Sequence, residues 1–381
     1  MTPSPPLAGI RVVELATMIT GPLAAMQLGD LGADVIKVEA PGLGDVMRYT
    51  GTSSGGMSAL FATCNRSKRS VVIDLKTPEG VDSMLRLLDA ADVFVTNTRP
   101  GVTDRLGIGE GVVRARNPRL VYVALTGFGA VGPYKDRPAY DTVVQAFAGA
   151  PVVQHDLRTG QPRPIRTFLA DKITSYTAVQ GVLAALYARE RDPAHHGQLL
   201  ELNMLEATLS FLWCDGYGDH TWLGDSINEL PELQRAFDVF PTADGYLTLT
   251  AILEEQFEGL SRAMERPQWL TDPRYGDPIS RLQHVDLLLD EIDDILLTRS
   301  TEEWIERFVA EGVPCAVVAS LDAVLADPQI QALGAVQRSE HPSCGPMQQA
   351  GPPLHLHDTP PVISRPAPQL GEHTDEVLGS L

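Results

Sequence analysis

The apolar and polar positions of this chain change period several times. Residues Ile10 to Thr17, "IRVVELAT", form a short apolar, largely β-branched run, the pattern of a strand buried on both faces. "GPLAAMQLGDLG" follows at helical spacing, and "ADVIKVE" returns as a second strand. "SVVIDL" (Ser70 to Leu75) predicts a third. Thr77 then caps a helix that opens on Pro78 and runs to about Ala90. "DVFVTNT" and "RLVYVALT" predict two further strands. Strand and helix in repetition predict an α/β fold, with an open, mostly parallel sheet covered by helices on both faces.

From Asp171 the stretch "DKITSYTAVQGVLAALYARER" is alanine-rich and repeats its apolar positions at helical spacing, which predicts a long helix with Asp171 as its N-cap. A second helix is predicted from Leu202 to about Trp213. The character changes after Gly216. "DVFPTADGYLTLTAI" reads as a hairpin turning at Ala243 to Gly245. Helices follow at Glu254 to Met264, Ile279 to Leu297 and Thr301 to Glu311, the last announced by Ser300 and Glu303 at capping-box spacing. These patterns predict a large domain over 1–215, a smaller α+β domain over 225–326 and a proline- and histidine-rich terminal segment over 335–381.

Composition narrows the function. The 381 residues are 44% hydrophobic, enough for two or three lobes with sizeable cores. The net charge of -19 sets the surface against nucleic acid and anionic membranes, so neither is expected as a partner. An anionic ligand needs a local basic cluster. The four cysteines are far apart and form no C-x-x-C pair, so neither a zinc ribbon nor a disulfide scaffold is expected, and no metal site is predicted. The first residues carry no basic region ahead of an apolar core, and no apolar run is long enough to span a bilayer, so a cytoplasmic protein is expected.

One motif requires a decision. Gly127, Gly129 and Gly132 spell G-x-G-x-x-G after a strand. A dinucleotide site needs a helix to follow, because the pyrophosphate rests on the helix N-terminus. Pro133 and Pro138 stand there instead. The glycines therefore read as a loop at the carboxyl edge of the sheet, the edge where open sheets bind ligands.

Seven strings in order carry a wider resemblance. They are "LAGIRVVEL…GP…LGDLGADVIKVEAPGLGD", "NRSKRSVVIDLKTPEG", "NTRPGVTDRLG", "LTGFGAVGPYKDRPAYDTVVQAFAG", "FLADKITSYTAVQGVLAALYARE", "GQLLELNMLEATLSFLW" and "APQLGEHTDEVLGSL". Together they resemble the class III CoA-transferase family, which includes the α-methylacyl-CoA racemases, over nearly the whole chain. The resemblance implies a Rossmann-like large domain to which the chain end returns, a smaller lobe and two interlocked subunits, a homodimer. It implies an acyl-CoA:carboxylate CoA-transferase acting on an acyl-CoA and a carboxylic acid. Coenzyme A is then a substrate, and no tightly bound cofactor is required.

The resemblance places a nucleophile at Asp171. A carboxylate at a helix start is held ionised by the helix dipole and free amides, and the ionised form is the nucleophile. Attack on a thioester gives an aspartyl anhydride and then an aspartyl-CoA thioester. Amides near Gly129 are candidates for stabilising the oxyanions. Racemases carry a histidine at the position of Tyr140, just before Asp141. A phenol, with an ordinary pKa near about 10, is a poor base at neutral pH, which favours transfer over racemisation. Glu254 resembles a racemase glutamate, although a solvated helix start accounts for it as well. A 2-methylacyl-CoA racemase or epimerase is the alternative enzyme, and a non-catalytic CoA-ester-binding protein is the alternative outside catalysis. For CoA the resemblance implies contacts at Met18, Ile19, Thr20, Ile73, Lys76, Asn97, Thr98 and Arg105. Arg66 and Lys68, in the basic run "NRSKR", add charge for its phosphates. An arginine lining the adenine in some members falls at Ala40, a lysine near the active site falls near Pro138, and the glycine-rich flap of formyl-CoA transferases is absent.

Overall fold

The structure is a computed structural model, and it describes residues 4–156, 159–224, 231 and 236–381. Two compact units emerge. One runs to Leu212 and resumes at Gln331–Leu381; Trp213–Ile330 form the other.

The first unit is built on six parallel strands: β1 (Arg11–Leu15), β2 (Asp34–Glu39), β3 (Lys68–Val72), β4 (Val93–Thr96), β5 (Val121–Thr126) and β6 (Leu199–Asn203). Their order in the sheet is β3-β2-β1-β4-β5-β6, the doubly wound arrangement. Side chains alternate across the strands. Val12, Val35, Val93 and Val121 pack with Leu28, Ala178 and Val182 on one face, while Val13, Ile36, Phe94 and Tyr122 pack with Met84, Leu87 and Leu88 on the other. Strands apolar at successive positions are thus explained by helices on both faces.

The first face holds α1 (Thr20–Asp30) and α4 (Leu169–Arg191); the second holds α2 (Pro78–Asp89). Thr77 caps α2 through a 3.1 Å hydrogen bond from the Gly80 N–H. Helix α3 (Asp141–Phe147) follows the glycine loop, and α5 (Met204–Gly216) follows β6.

Three features depart from the sequence pattern. Strand β3 starts at Lys68, two residues early, because Lys68 pairs in register with Val35. Strand β6 pairs with β5 at the sheet edge, where its mixed exposure weakened the strand signal. Helix α4 starts at Leu169 with Phe168 at the cap, which puts Asp171 third within the helix rather than at its N-cap. The terminal segment also forms an antiparallel hairpin, Val336–His341 with Gly345–Ala350. It then runs beside β3, where the Gly371 N–H donates to the Ser70 hydroxyl at 2.9 Å and the Val72 N–H to the Thr374 hydroxyl at 3.0 Å.

In the second unit, Phe240–Pro241 and Cys315–Val317 flank the central strand Tyr246–Leu249, all antiparallel. Phe257, Trp269, Trp304 and Phe308 fill its core. The Ser300–Glu303 capping box is formed. The helix expected over Ile279 to Leu297 breaks at His284 into Pro278–Gln283 and Val285–Leu296. The expected lobe start, Asp225, lies outside the described residues.

Candidate active site

The sheet order reverses between β1 and β4, and a cavity of about 260 Å³ opens at the carboxyl ends of β1, β4 and β5. This is where an open α/β sheet has loops diverging to opposite faces. Thr17, Met18 and Thr20 line it from β1, Asn97, Thr98 and Arg99 from β4, and Tyr140, Asp141 and Asp171 from beyond β5.

The turn after β1 is tight and strained. Met18 has φ 67°, a left-handed conformation that L side chains rarely adopt. A Cβ on Gly21 would stand 2.4 Å from the Ala16 Cβ, so only glycine fits the start of α1 there. The turn is held by two bonds to Asn97: its Oδ1 accepts the Thr17 N–H at 3.1 Å, and its Nδ2 donates to the Thr17 carbonyl at 2.7 Å. The Met18 N–H donates to Asp45 Oδ1 at 3.2 Å.

The glycine loop closes the opposite side. A Cβ on Gly127 would meet the Ala139 Cβ at 2.1 Å, so the loop's two ends touch. Tyr140 then caps α3 with no side-chain bond, and its ring is 64% exposed at the cavity.

Asp171 is the most perturbed group in the cavity wall. The Thr20 hydroxyl donates to its Oδ1. Its backbone N–H donates to Asp141 Oδ2 at 3.0 Å. Asp141 is itself buried, and its Oδ1 accepts from Gln145 Nε2 at 2.5 Å. Gln145 stands four residues on, on the same helical face, and also donates to the Thr167 carbonyl at 3.0 Å. Burial pushes the Asp171 carboxyl up to about 6, the Asp141 charge adds to this, and the Thr20 hydrogen bond opposes it. The expectation that the helix start dominates is therefore corrected. Desolvation wins, and Asp171 still ionises below neutrality, as a nucleophile must.

A carboxylate raised toward neutrality, in a cavity at the switch point of a doubly wound sheet, fits acyl-transfer chemistry. The model of CoA-transferase family III matches residues 7–374. The chain belongs to CoA-transferase family III. It is 33% identical to succinate–glutarate CoA-transferase of Agrobacterium fabrum, over 99% of this chain and 96% of that one. It is 29% identical to formyl-CoA:oxalate CoA-transferase of Bradyrhizobium diazoefficiens, over 98% and 93%. Among solved structures it resembles Rv3272 from Mycobacterium tuberculosis, with TM-score 0.85 and 31% identity over 98% of this chain and 100% of that one. As a family III CoA-transferase the chain is an enzyme, and CoA thioesters are the substrates of its class.

Of the residues singled out in the sequence, Met18, Thr20, Asn97, Thr98, Tyr140 and Asp171 share the cavity wall. Others do not. Ile19 and Ile73 are buried, their side chains turned into the fold. Lys76 and Arg105 are exposed, but not in this wall. Gly129 stands outside the wall too, and its amide donates to Thr126 Oγ1 at 3.1 Å, which takes it away from an oxyanion.

Arg66 and Lys68 are clear corrections. Arg66 is buried against Asp30 at 2.8 Å and also donates to the Ala350 carbonyl at 2.6 Å. Lys68 is fully buried and donates to Glu14 at 2.6 Å, the Pro22 carbonyl at 2.7 Å and Asn65 at 2.9 Å. A buried cation with its own carboxylate is not available to a phosphate. Glu254 lies in the second unit, ion-paired to Arg281 at 2.5 Å.

Sequence reasoning passed over Asp141 as a partner of Asp171, and it passed over Gln145, Arg99, Lys135 and Arg137. The spacing of Asp141 and Gln145 is a usable signal. So is the pair of cations in "YKDRPAY", a loop already placed at the ligand-binding edge. Among the described residues no group of three or more His, Cys, Asp or Glu is placed to hold a metal, and no helix is long and apolar enough to cross a membrane.

Proposed function

We propose that the protein is an acyl-CoA:carboxylate CoA-transferase with Asp171 as nucleophile. The Asp171 carboxylate attacks the thioester carbonyl, the C–S bond breaks, and CoA thiolate leaves an aspartyl anhydride. The thiolate attacks the aspartyl carbonyl, releases the donor acid and leaves an aspartyl-CoA thioester. The incoming carboxylate attacks that thioester, again freeing the thiolate and forming a mixed anhydride. The thiolate then attacks the new acyl carbonyl, and Asp171 is regenerated. Each step exchanges one acyl bond for another, so no redox change is needed.

The observation that carries this reading is the Asp171 carboxylate itself. It is perturbed by burial, oriented by Thr20 and anchored through its own amide to Asp141, at the mouth of the switch-point cavity. Met18, Thr20, Asn97 and Thr98 are the candidate CoA contacts inside the cavity, and Lys76 and Arg105 are exposed cations for phosphates beyond it. Two family relatives are named for acids, succinate and glutarate in one case and oxalate in the other. An interlocked homodimer belongs to the same reading. Tyr176, Leu183 and Tyr187 leave apolar surface exposed along α4, and light scattering tests the assembly.

The decisive experiment incubates the protein with acyl-CoA and a second carboxylate, then follows intact mass after borohydride or hydroxylamine trapping. An adduct at Asp171 and formation of the new CoA ester are expected. Loss of an α-proton to deuterated solvent without CoA transfer would point to racemisation instead, and CoA binding with no exchange to a carrier role.

A further inference from the structure

Three cations line the cavity, Arg99, Lys135 and Arg137, and none has an ion-pair partner among the described residues. Lys76 and Arg105 also stand outside the ion pairs among the described residues, but these three share one cavity wall in a chain of net charge -19. Arg11, Arg48, Arg66, Arg69, Arg114 and Arg116 of the same unit are all paired with carboxylates.

The three enter on different loops. Arg99 follows β4 beside Asn97 and Thr98, on the side proposed for CoA. Lys135 and Arg137 belong to the loop between β5 and α3, which ends at Tyr140 and Asp141. Arg137 alone is braced. Its guanidinium lies 4.6 Å from the Tyr134 ring centre and 5.4 Å from that of Phe147. Phe128, Tyr134 and Phe147 pack edge-on into one cluster, with centres 5.1 to 6.0 Å apart. Phe147 is the last residue of α3, the helix that carries Asp141 and Gln145. An arginine stacked on rings keeps its planar fork in one orientation, ready for two parallel bonds to a carboxylate.

Transfer chemistry gives this fork a ligand. In a dicarboxylic acid only one carboxylate reacts. The other stays charged through every intermediate, and burying it unpaired is costly. We propose that Arg137 holds the second carboxylate of a dicarboxylic acid whose first carboxylate exchanges CoA at Asp171. This rests on the transferase reading above. Phe128 and Tyr140 line the same cavity as Arg137 and Asp171.

The test compares glutarate with pentanoate, a diacid and a monoacid of one chain length, as CoA acceptors. The wild type is expected to prefer glutarate in kcat/KM. Arg137→Leu should lower the glutarate-to-pentanoate ratio about 10- to 100-fold, and Arg137→Lys should recover part of it. An unchanged ratio overturns the proposal. A raised KM for the CoA donor at an unchanged ratio also overturns it, and assigns Arg137 to CoA phosphate. If the wild type transfers CoA to neither acid, the transferase reading is judged separately, by the trapping experiment at Asp171. Calorimetry with free glutarate then still decides on Arg137: weaker binding in Arg137→Leu supports the proposal, and equal binding ends it. Unchanged thermal melting confirms that the variants fold.

Discussion

Two charge-rich regions of the same unit make a useful contrast. Beneath the sheet's β1–β3 side, Glu14 is shared by Lys37 at 2.8 Å and Lys68 at 2.6 Å, with all three side chains fully buried. Lys37 also meets Asp45 at 3.0 Å, and Asp45 accepts the Met18 N–H. At the sheet's carboxyl edge, Asp141 and Asp171 face the cavity with no cation among the described residues paired to either, while Arg99, Lys135 and Arg137 have no ion-pair partner among those residues. The first region neutralises itself and can only support structure. The second keeps like charges close and opposite charges apart, and that unspent electrostatics is what a substrate can use. The two connect at Met18, whose strained turn the buried network pins in place.

The sharpest way to break the contrast is Asp171→Asn. Activity should fall by on the order of 10^4-fold or more, since no carboxylate remains to attack. Stability should move the other way. A carboxyl raised in the folded state binds its proton more tightly than in the unfolded chain. It therefore weakens the fold as pH rises from about 4 through about 6, and the deficit persists above. Asp171→Asn is thus expected to melt higher than wild type at pH 7.5, with the difference shrinking toward pH 4. A variant that is active, or that melts lower at pH 7.5, would place Asp171 among the structural charges.

The buried network should respond in the opposite sense. Glu14→Gln leaves Lys37 and Lys68 without their shared carboxylate and is expected to cost roughly 3–5 kcal/mol in urea unfolding. Burial opposes the charge on Lys37, but Glu14, Asp45 and Glu39 outweigh it and hold the amine up at about 12. Burial dominates at Lys68 and pushes it down to about 8. Arg66→Gln should likewise lower stability and leave the KM for the CoA donor near its wild-type value. A raised KM with unchanged unfolding would restore Arg66 to the phosphate site.

A smaller effect is expected one step from the proposed nucleophile. Gln145→Leu removes the amide that fixes Asp141, and Asp141 anchors the Asp171 backbone. A loss of about 10- to 100-fold in kcat with little change in donor KM is expected, because geometry rather than binding is disturbed. A change confined to KM would instead make Gln145 a binding residue.

What the sequence made legible follows from where the partners lie. Strands such as Val121–Thr126 announce themselves because both faces are buried, and Thr77–Pro78 announces its helix through local capping. Strand β6 has an exposed face, and its residues alternate too weakly to stand out beside the helix that follows. The run "NRSKR" resembles a solvated loop because its partners, Asp30 and Glu14, lie 36 and 54 residues away and are visible only in three dimensions. The proposed nucleophile is legible only through resemblance, since an aspartate near a helix start is locally unremarked. Its tuning is not: Thr20 and Asp141 reach it across 151 and 30 residues.

The finest probe of the site is its acid limb. In the proposed mechanism only ionised Asp171 attacks, so kcat/KM should fall below about pH 6, tenfold for each further unit. The two neighbours act with opposite signs. Thr20 donates a hydrogen bond that favours the carboxylate, so Thr20→Val should move the limb to higher pH. Asp141 contributes a like charge that disfavours it, so Asp141→Asn should move the limb to lower pH, even while its weaker hold on the Asp171 amide lowers the plateau. Each displacement is expected to be about one unit or less, the scale of one hydrogen bond or one screened charge. A pH profile of both variants against wild type reads the two signs directly. Shifts in the same direction would mean that solvent access, rather than these two contacts, sets the ionisation of Asp171.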